Sequence, residues 1–103
     1  MAYHVELTAR ANRDLKWIYE RIHAEDSIQA FEWFNGLEAT ILSLEKHPAR
    51  GAVTPENKNL RQLLYVGKPH TYRVIYRIHE RARKVKVIHI RHGRMNEFLR
   101  RKR

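Results

Sequence analysis

"HTYRVIYRIHERARKVKVIHIRH", running from His70 to His92, is the stretch that decides the architecture. Strand side chains alternate between two faces. "HTYRVIYRI" therefore puts Tyr72, Val74, Tyr76 and Ile78 on one face and Arg73, Ile75 and Arg77 on the other. "ERARK" is a polar link, and "VKVIHIRH" is a second apolar strand, so the pair predicts an antiparallel hairpin. The second strand ends in a cluster of His89, Arg91, His92 and, just beyond, Arg94. Three explanations compete for so much positive charge at the end of a buried strand. It is a catalytic cluster, a grip on nucleic acid, or a docking surface for an acidic protein.

Upstream, "LRQLLYV" reads as another strand, joined to the hairpin by a turn at Gly67-Lys68-Pro69. At the N-terminus "YHVELT" alternates Tyr3, Val5 and Leu7 with His4, Glu6 and Thr8, a short strand with one buried face. Thr8 is placed to cap a helix. That helix carries Ala11, Leu15, Ile18 and Ile22 on one stripe and reaches about His23. Asp26 with Gln29 predicts a capping box for a second helix. Its stripe is Ala30, Phe34, Leu37, Ile41 and Leu44, and it should stop near Lys46, ahead of His47-Pro48. Two helices with a short polar link make an antiparallel hairpin. "HPARGAVTPENKN" is expected to be an irregular surface loop, and the final "RMNEFLRRKR" a short fraying helix. The order is strand, helix, helix, strand, strand, strand. The fold class is α+β, with an N-terminal edge strand and a three-stranded antiparallel meander packed on the helix hairpin. Residues 1–103 are expected to form one domain.

Apolar content of 43% and charged content of 31% fit a folded chain of 103 residues. No apolar run is long enough to span a membrane, and no signal peptide is expected. The absence of cysteine excludes disulfides and thiolate metal sites and is compatible with a reducing cytoplasm. The net charge of +10 is unevenly placed. Residues 1–60 hold 7 Lys+Arg and 9 Asp+Glu, giving −2, whereas residues 61–103 hold 14 Lys+Arg against Glu80 and Glu97, giving +12. Such a field attracts nucleic acid, ribosomes or acidic proteins, and its self-repulsion is relieved by a bound acidic partner.

Among chemistries, metal binding is disfavoured. His89 and His92 are three apart and point to opposite faces of a strand, with few carboxylates near in sequence. No phosphate-binding glycine loop or nucleophile elbow is present. A nuclease cluster has the right residue types in Arg73, Arg77, His89, Arg91, His92 and Arg94. Phosphodiester cleavage needs cations for the developing phosphorane and a group that moves protons. The competing reading is a solvated cationic sheet face without chemistry. Tyr65, Tyr72 and Tyr76 interleave with arginines, which suits base stacking, yet their alternation suits core packing better. Trp33 lies off its helix's main stripe, where it packs in the core or meets a partner.

The chain resembles the ParE/RelE superfamily of toxins from bacterial type II toxin–antitoxin modules. The resemblance is carried by "ELTARANRDLKWIYERI", "LEATILSLEKHPARG", "NLRQLL" with "YRVIYRI", and "VIHIRHGRMN", in that order along the chain. It implies the strand, helix hairpin and meander derived above. RelE-like members cut mRNA on the ribosome without a metal, and ParE-like members trap DNA gyrase on cleaved DNA. Arg73 matches a catalytic arginine of the RelE-like group. That group also has an arginine two positions after the glycine closing the last strand, where this chain has Met95, and a C-terminal tyrosine, where it has Arg101. "HGRMN", His92 to Asn96, resembles the ParE-like ending. The resemblance therefore favours gyrase poisoning over RNA cleavage. It implies His92, Arg94, Met95 and Asn96 as target contacts, with Arg61, Arg77 and Arg91 as further target- or antitoxin-binding residues. On the RNA alternative, Arg73 stabilises the transition state and His89 or His92 moves the proton. The implied partners are an antitoxin and either gyrase or the ribosome with mRNA. No cofactor, metal or membrane is implied, and the location is cytoplasmic. A further alternative is a non-toxic basic nucleic-acid-binding module.

Overall fold

The computed structural model describes residues 2–67 and 71–93. Strand β1 (His4–Leu7) leads into helices α1 (Ala9–Arg21) and α2 (Ile28–Leu42). Strands β2 (Ala52–Val53), β3 (Arg61–Val66), β4 (Thr71–His79) and β5 (Lys84–His92) follow. They form one mixed sheet in the order β1-β5-β4-β3-β2. β1 runs parallel to β5, and every other pair is antiparallel. The α+β class, the meander and the N-terminal edge strand are as expected. The fifth strand is not. The segment expected to be an irregular loop supplies β2, because the backbone N–H of Thr54 donates to the carbonyl of Leu60 and closes a turn onto β3. Within that turn the Thr54 hydroxyl donates to the Asn57 carbonyl and accepts from the Asn57 N–H.

Thr8 caps α1 as expected, its hydroxyl oxygen accepting from the Ala11 N–H at 3.1 Å. The same hydroxyl donates to the Ile88 carbonyl at 2.8 Å, which fixes the start of α1 against β5. At its other end, α1 closes with His23 at φ 55°, while Ala24 N–H reaches the Tyr19 carbonyl and His23 N–H the Glu20 carbonyl. This is the six-to-one and five-to-two pattern usually built around glycine. The expected capping box at Asp26 is not formed. Ser27, in extended conformation, caps α2 and accepts from the Ala30 N–H, while Asp26 closes the preceding turn on the His23 carbonyl. α2 ends at Leu42, and one tight turn, Ser43–Glu45, carries the chain towards Pro48.

The core lies between the helices and one face of the sheet. Ala11 and Ile18 of α1 with Phe34, Leu37 and Ile41 of α2 meet Tyr72, Val74 and Tyr76 of β4 and Val85, Val87 and Ile90 of β5. Truncating Leu37, which is fully buried, to alanine would cost about 2–5 kcal/mol. Trp33 resolves into core packing. Its ring sits edge-on to Tyr65 and Tyr72, at 4.9 and 5.7 Å, and a side chain at Gly67 would collide with it. The tyrosines alternate onto this core side, as their spacing implied.

Candidate functional site: the cationic sheet face

The register of β4 and β5 decides which cations share a surface. Ile75 pairs with His89 but Tyr76 pairs with Val87, so Ile88 is one extra residue, a β-bulge. Beyond it, Ile90 and His92 turn towards the core side with Val85 and Val87, while His89 and Arg91 turn away with Arg73, Ile75 and Arg77. His89 and His92 do lie on opposite faces. The His92 ring meets the Tyr72 ring edge-on at 5.3 Å. Among the described residues, no three His, Asp or Glu side chains converge as a metal set would.

Arg77 is exposed on the outer face. Beside it Lys84 and Lys86 approach Glu6 of β1 at 3.1 and 3.9 Å. The hydrogen bond from Lys84 holds the Glu6 carboxyl below its ordinary range. Arg61 lies on the other side of the sheet, in register with Tyr76. Its guanidinium donates to the carbonyls of Gly51 and Ala49, at 2.7 and 3.4 Å. Arg94, Met95 and Asn96 lie outside the described residues.

Arg73 does not emerge on the outer face as its strand position suggested; it is 5% exposed. Its Nε donates to Gln62 Oε1 at 2.8 Å, and one terminal nitrogen lies 3.3 Å from both carboxylate oxygens of Glu56. Its aliphatic stem fills the space above Gly93, where an added Cβ would come within 2.5 Å of Arg73 Cγ. Directly across the ladder stands Arg91. Two like charges facing each other repel, so the Glu56 carboxylate offsets a cost built into this register. The Thr54 turn positions Glu56 to do so.

His89 is held from behind. Its Nδ1 lies 2.9 Å from Asp14 Oδ2, and the same oxygen accepts from the Ile90 N–H at 2.9 Å. Nε2 faces Arg10 at 3.4 Å. The carboxylate thus closes the edge of β5 where β1 has ended, and it orients an imidazole on the cationic side. Asp14 was not among the residues singled out from sequence. The available signal was its position, three residues after Ala11 and four before Ile18, which puts a carboxylate on the buried stripe of α1.

This arrangement offers a polyanion or an acidic segment a broad cationic surface with few cations aimed at one point. The family model of the ParE toxin of type II toxin–antitoxin systems, parDE, matches residues 5–97. No curated protein sequence matches significantly. Among solved structures, the chromosomal ParDE toxin–antitoxin system from P. aeruginosa superposes with a TM-score of 0.70 at 18% identity, covering 89% of this chain and 97% of that one. A mutant of E. coli toxin RelE in the free state gives 0.62 at 15%, covering 97% and 93%. The RelBE2 toxin–antitoxin complex from Mycobacterium tuberculosis gives 0.59 at 26%, covering 90% and 100%. With the family model spanning nearly the whole chain, this protein belongs to the ParE family of type II toxin–antitoxin toxins.

Proposed function

We propose that this toxin arrests growth by binding DNA gyrase and holding it on cleaved DNA, and that it does not cut RNA itself. The observation carrying this reading is the engagement of Arg73. It is the residue that matches a RelE-like catalytic arginine, and a transition-state stabiliser has to reach the scissile phosphate. Here its guanidinium is buried against Gln62 and Glu56. The surrounding surface suits binding, with Arg77 and Arg91 on the outer face, and the resemblance of "HGRMN" to the ParE-like ending adds His92, Arg94, Met95 and Asn96 as target contacts. The partner is a cognate antitoxin, in keeping with the ParDE and RelBE2 assemblies among the structural neighbours. Its acidic segment neutralises the +12 half of the chain. The site of action is the cytoplasm.

A second reading has one observation in its favour. Asp14 orients the His89 imidazole, which stands diagonally from Arg73 on the same face and is a residue type that can move a proton. On that reading the toxin is a ribosome-dependent mRNA endonuclease. Expression in cells separates the two. Gyrase poisoning predicts double-strand breaks and a DNA-damage response with intact mRNA. New mRNA 5′ ends in growth-arrested cells with undamaged DNA would replace the gyrase reading with the nuclease one.

A further inference from the structure

The two helices turn outward faces of opposite character. On α2 the exposed positions Ile28, Phe31, Asn35, Glu38 and Leu42 recur at three and four residues, and Ile28, Phe31 and Leu42 are 80%, 44% and 60% exposed. Between Ile22 and Glu45 the chain carries five carboxylates (Glu25, Asp26, Glu32, Glu38 and Glu45) and no lysine or arginine, in a protein of net charge +10. On α1 the exposed stripe is Arg10, Arg13, Trp17 and Arg21. Trp17 is 51% exposed, with the Arg21 guanidinium 5.0 Å over its ring. Both helices pack on the same side of the sheet, with Tyr19 of α1 edge-on to Phe34 of α2 at 5.0 Å, so the two outward faces lie side by side.

An apolar stripe flanked by carboxylates repels DNA and acidic segments. It suits a basic helix that brings an aromatic residue, and α1 is such a helix. We infer that two copies of this chain pair hairpin on hairpin about a two-fold axis, each α2 seated on the partner copy's α1. The arrangement is isologous, so Glu32 and Glu38 meet Arg13 and Arg21 twice, and each Trp17 lands on a Phe31 stripe. At 1.5 Å per residue, α2 is roughly 22 Å long, and two helices about 10 Å apart give a footprint on the order of 400 Å² per copy. That is small for a protein interface, so the dimer is a weak one set by protein concentration. The inference is independent of which target the toxin attacks.

Sedimentation velocity on the antitoxin-free full chain tests it. The wild type should shift from monomer towards dimer across the micromolar range, less so at high salt. E32K/E38K alone and R13E/R21E alone should each stay monomeric while keeping the wild-type circular dichroism spectrum. An equimolar mixture of the two should dimerise again, because one chain then has two basic helices and the other two acidic ones. Phe31→Ser should also give a folded monomer. A wild type that stays monomeric overturns the inference, as does a dimer indifferent to both charge reversals, which would place the contact on a sheet edge. A monomeric wild type whose antitoxin binding is lost in E32K/E38K assigns the α2 face to the antitoxin instead, and also overturns it.

Discussion

Replacing Arg73 separates a strut from a catalytic group. Arg73→Ala deletes Cγ and Cδ from the packed space above Gly93, about 1.5 kcal/mol at roughly 0.8 per buried methylene. It also removes a charge-assisted hydrogen bond to Gln62, worth about 1.5–3 kcal/mol. Part of this is recovered, because the mutant no longer buries a charge and Glu56, 38% exposed, can hydrate. The expected net loss is about 2–3 kcal/mol, or roughly 10–25 °C in melting temperature for a domain of this size. Arg73→Met keeps the stem and loses only the polar contacts, so it should cost about 1–2 kcal/mol. The assay is thermal melting of wild type, Met and Ala variants, paired with growth arrest measured well below the lowest melting point. For a strut, toxicity survives in Met and follows the folded fraction in Ala. A Met variant that melts within about 2 °C of wild type but is non-toxic would refute the reasoning and make Arg73 a functional group.

Other expectations follow from the same contacts. Tyr76→Phe strips an acceptor from the Gly51 N–H and a donor from the Pro48 carbonyl, at 3.0 and 2.6 Å, and should cost about 1–3 kcal/mol in urea unfolding. Burial raises the Tyr76 phenol above its ordinary value of 10.0, so its contribution is complete below that pH and is lost as pH rises through and beyond it. The alkaline limb of the stability curve should therefore be shallower in the Phe variant. His23→Gly relieves a left-handed residue at the end of α1 and should stabilise the fold by about 0.5–1 kcal/mol, read as a higher urea midpoint. Asp14→Ala leaves the Ile90 N–H and His89 without their acceptor. It should cost about 1–3 kcal/mol and speed amide exchange at Ile90.

The sequence carried the fold well wherever period alone decided it. The faces of β4, both helix stripes and the cap at Thr8 needed only local spacing. What was not legible depended on contacts distant in sequence. β2 exists because a hydroxyl turn at Thr54 folds two residues back onto β3, and two residues make no pattern. Asp26 and Ser27 both suit a helix cap, and the choice fell to the residue left in extended conformation once the 23–26 turn had formed. For the site, the limit was the same. That Arg73 stands on an outward strand position was readable; that Glu56, 17 residues away, covers it was not. The bulge at Ile88 decides which side of the sheet receives Ile90 and His92. Its carbonyl is fixed by Thr8, 80 residues upstream. Asp14 alone carried an overlooked local signal, a carboxylate on a buried stripe.

The most direct measurement is a supercoiling assay with purified DNA gyrase and the antitoxin-free protein, run beside a ribosome-programmed mRNA cleavage reaction. Loss of supercoiling with accumulation of cleaved DNA, reversed by antitoxin, and no cut mRNA is the predicted result. Unaffected gyrase together with mRNA cleavage that disappears in a folded Arg73→Met variant would contradict the account at its centre.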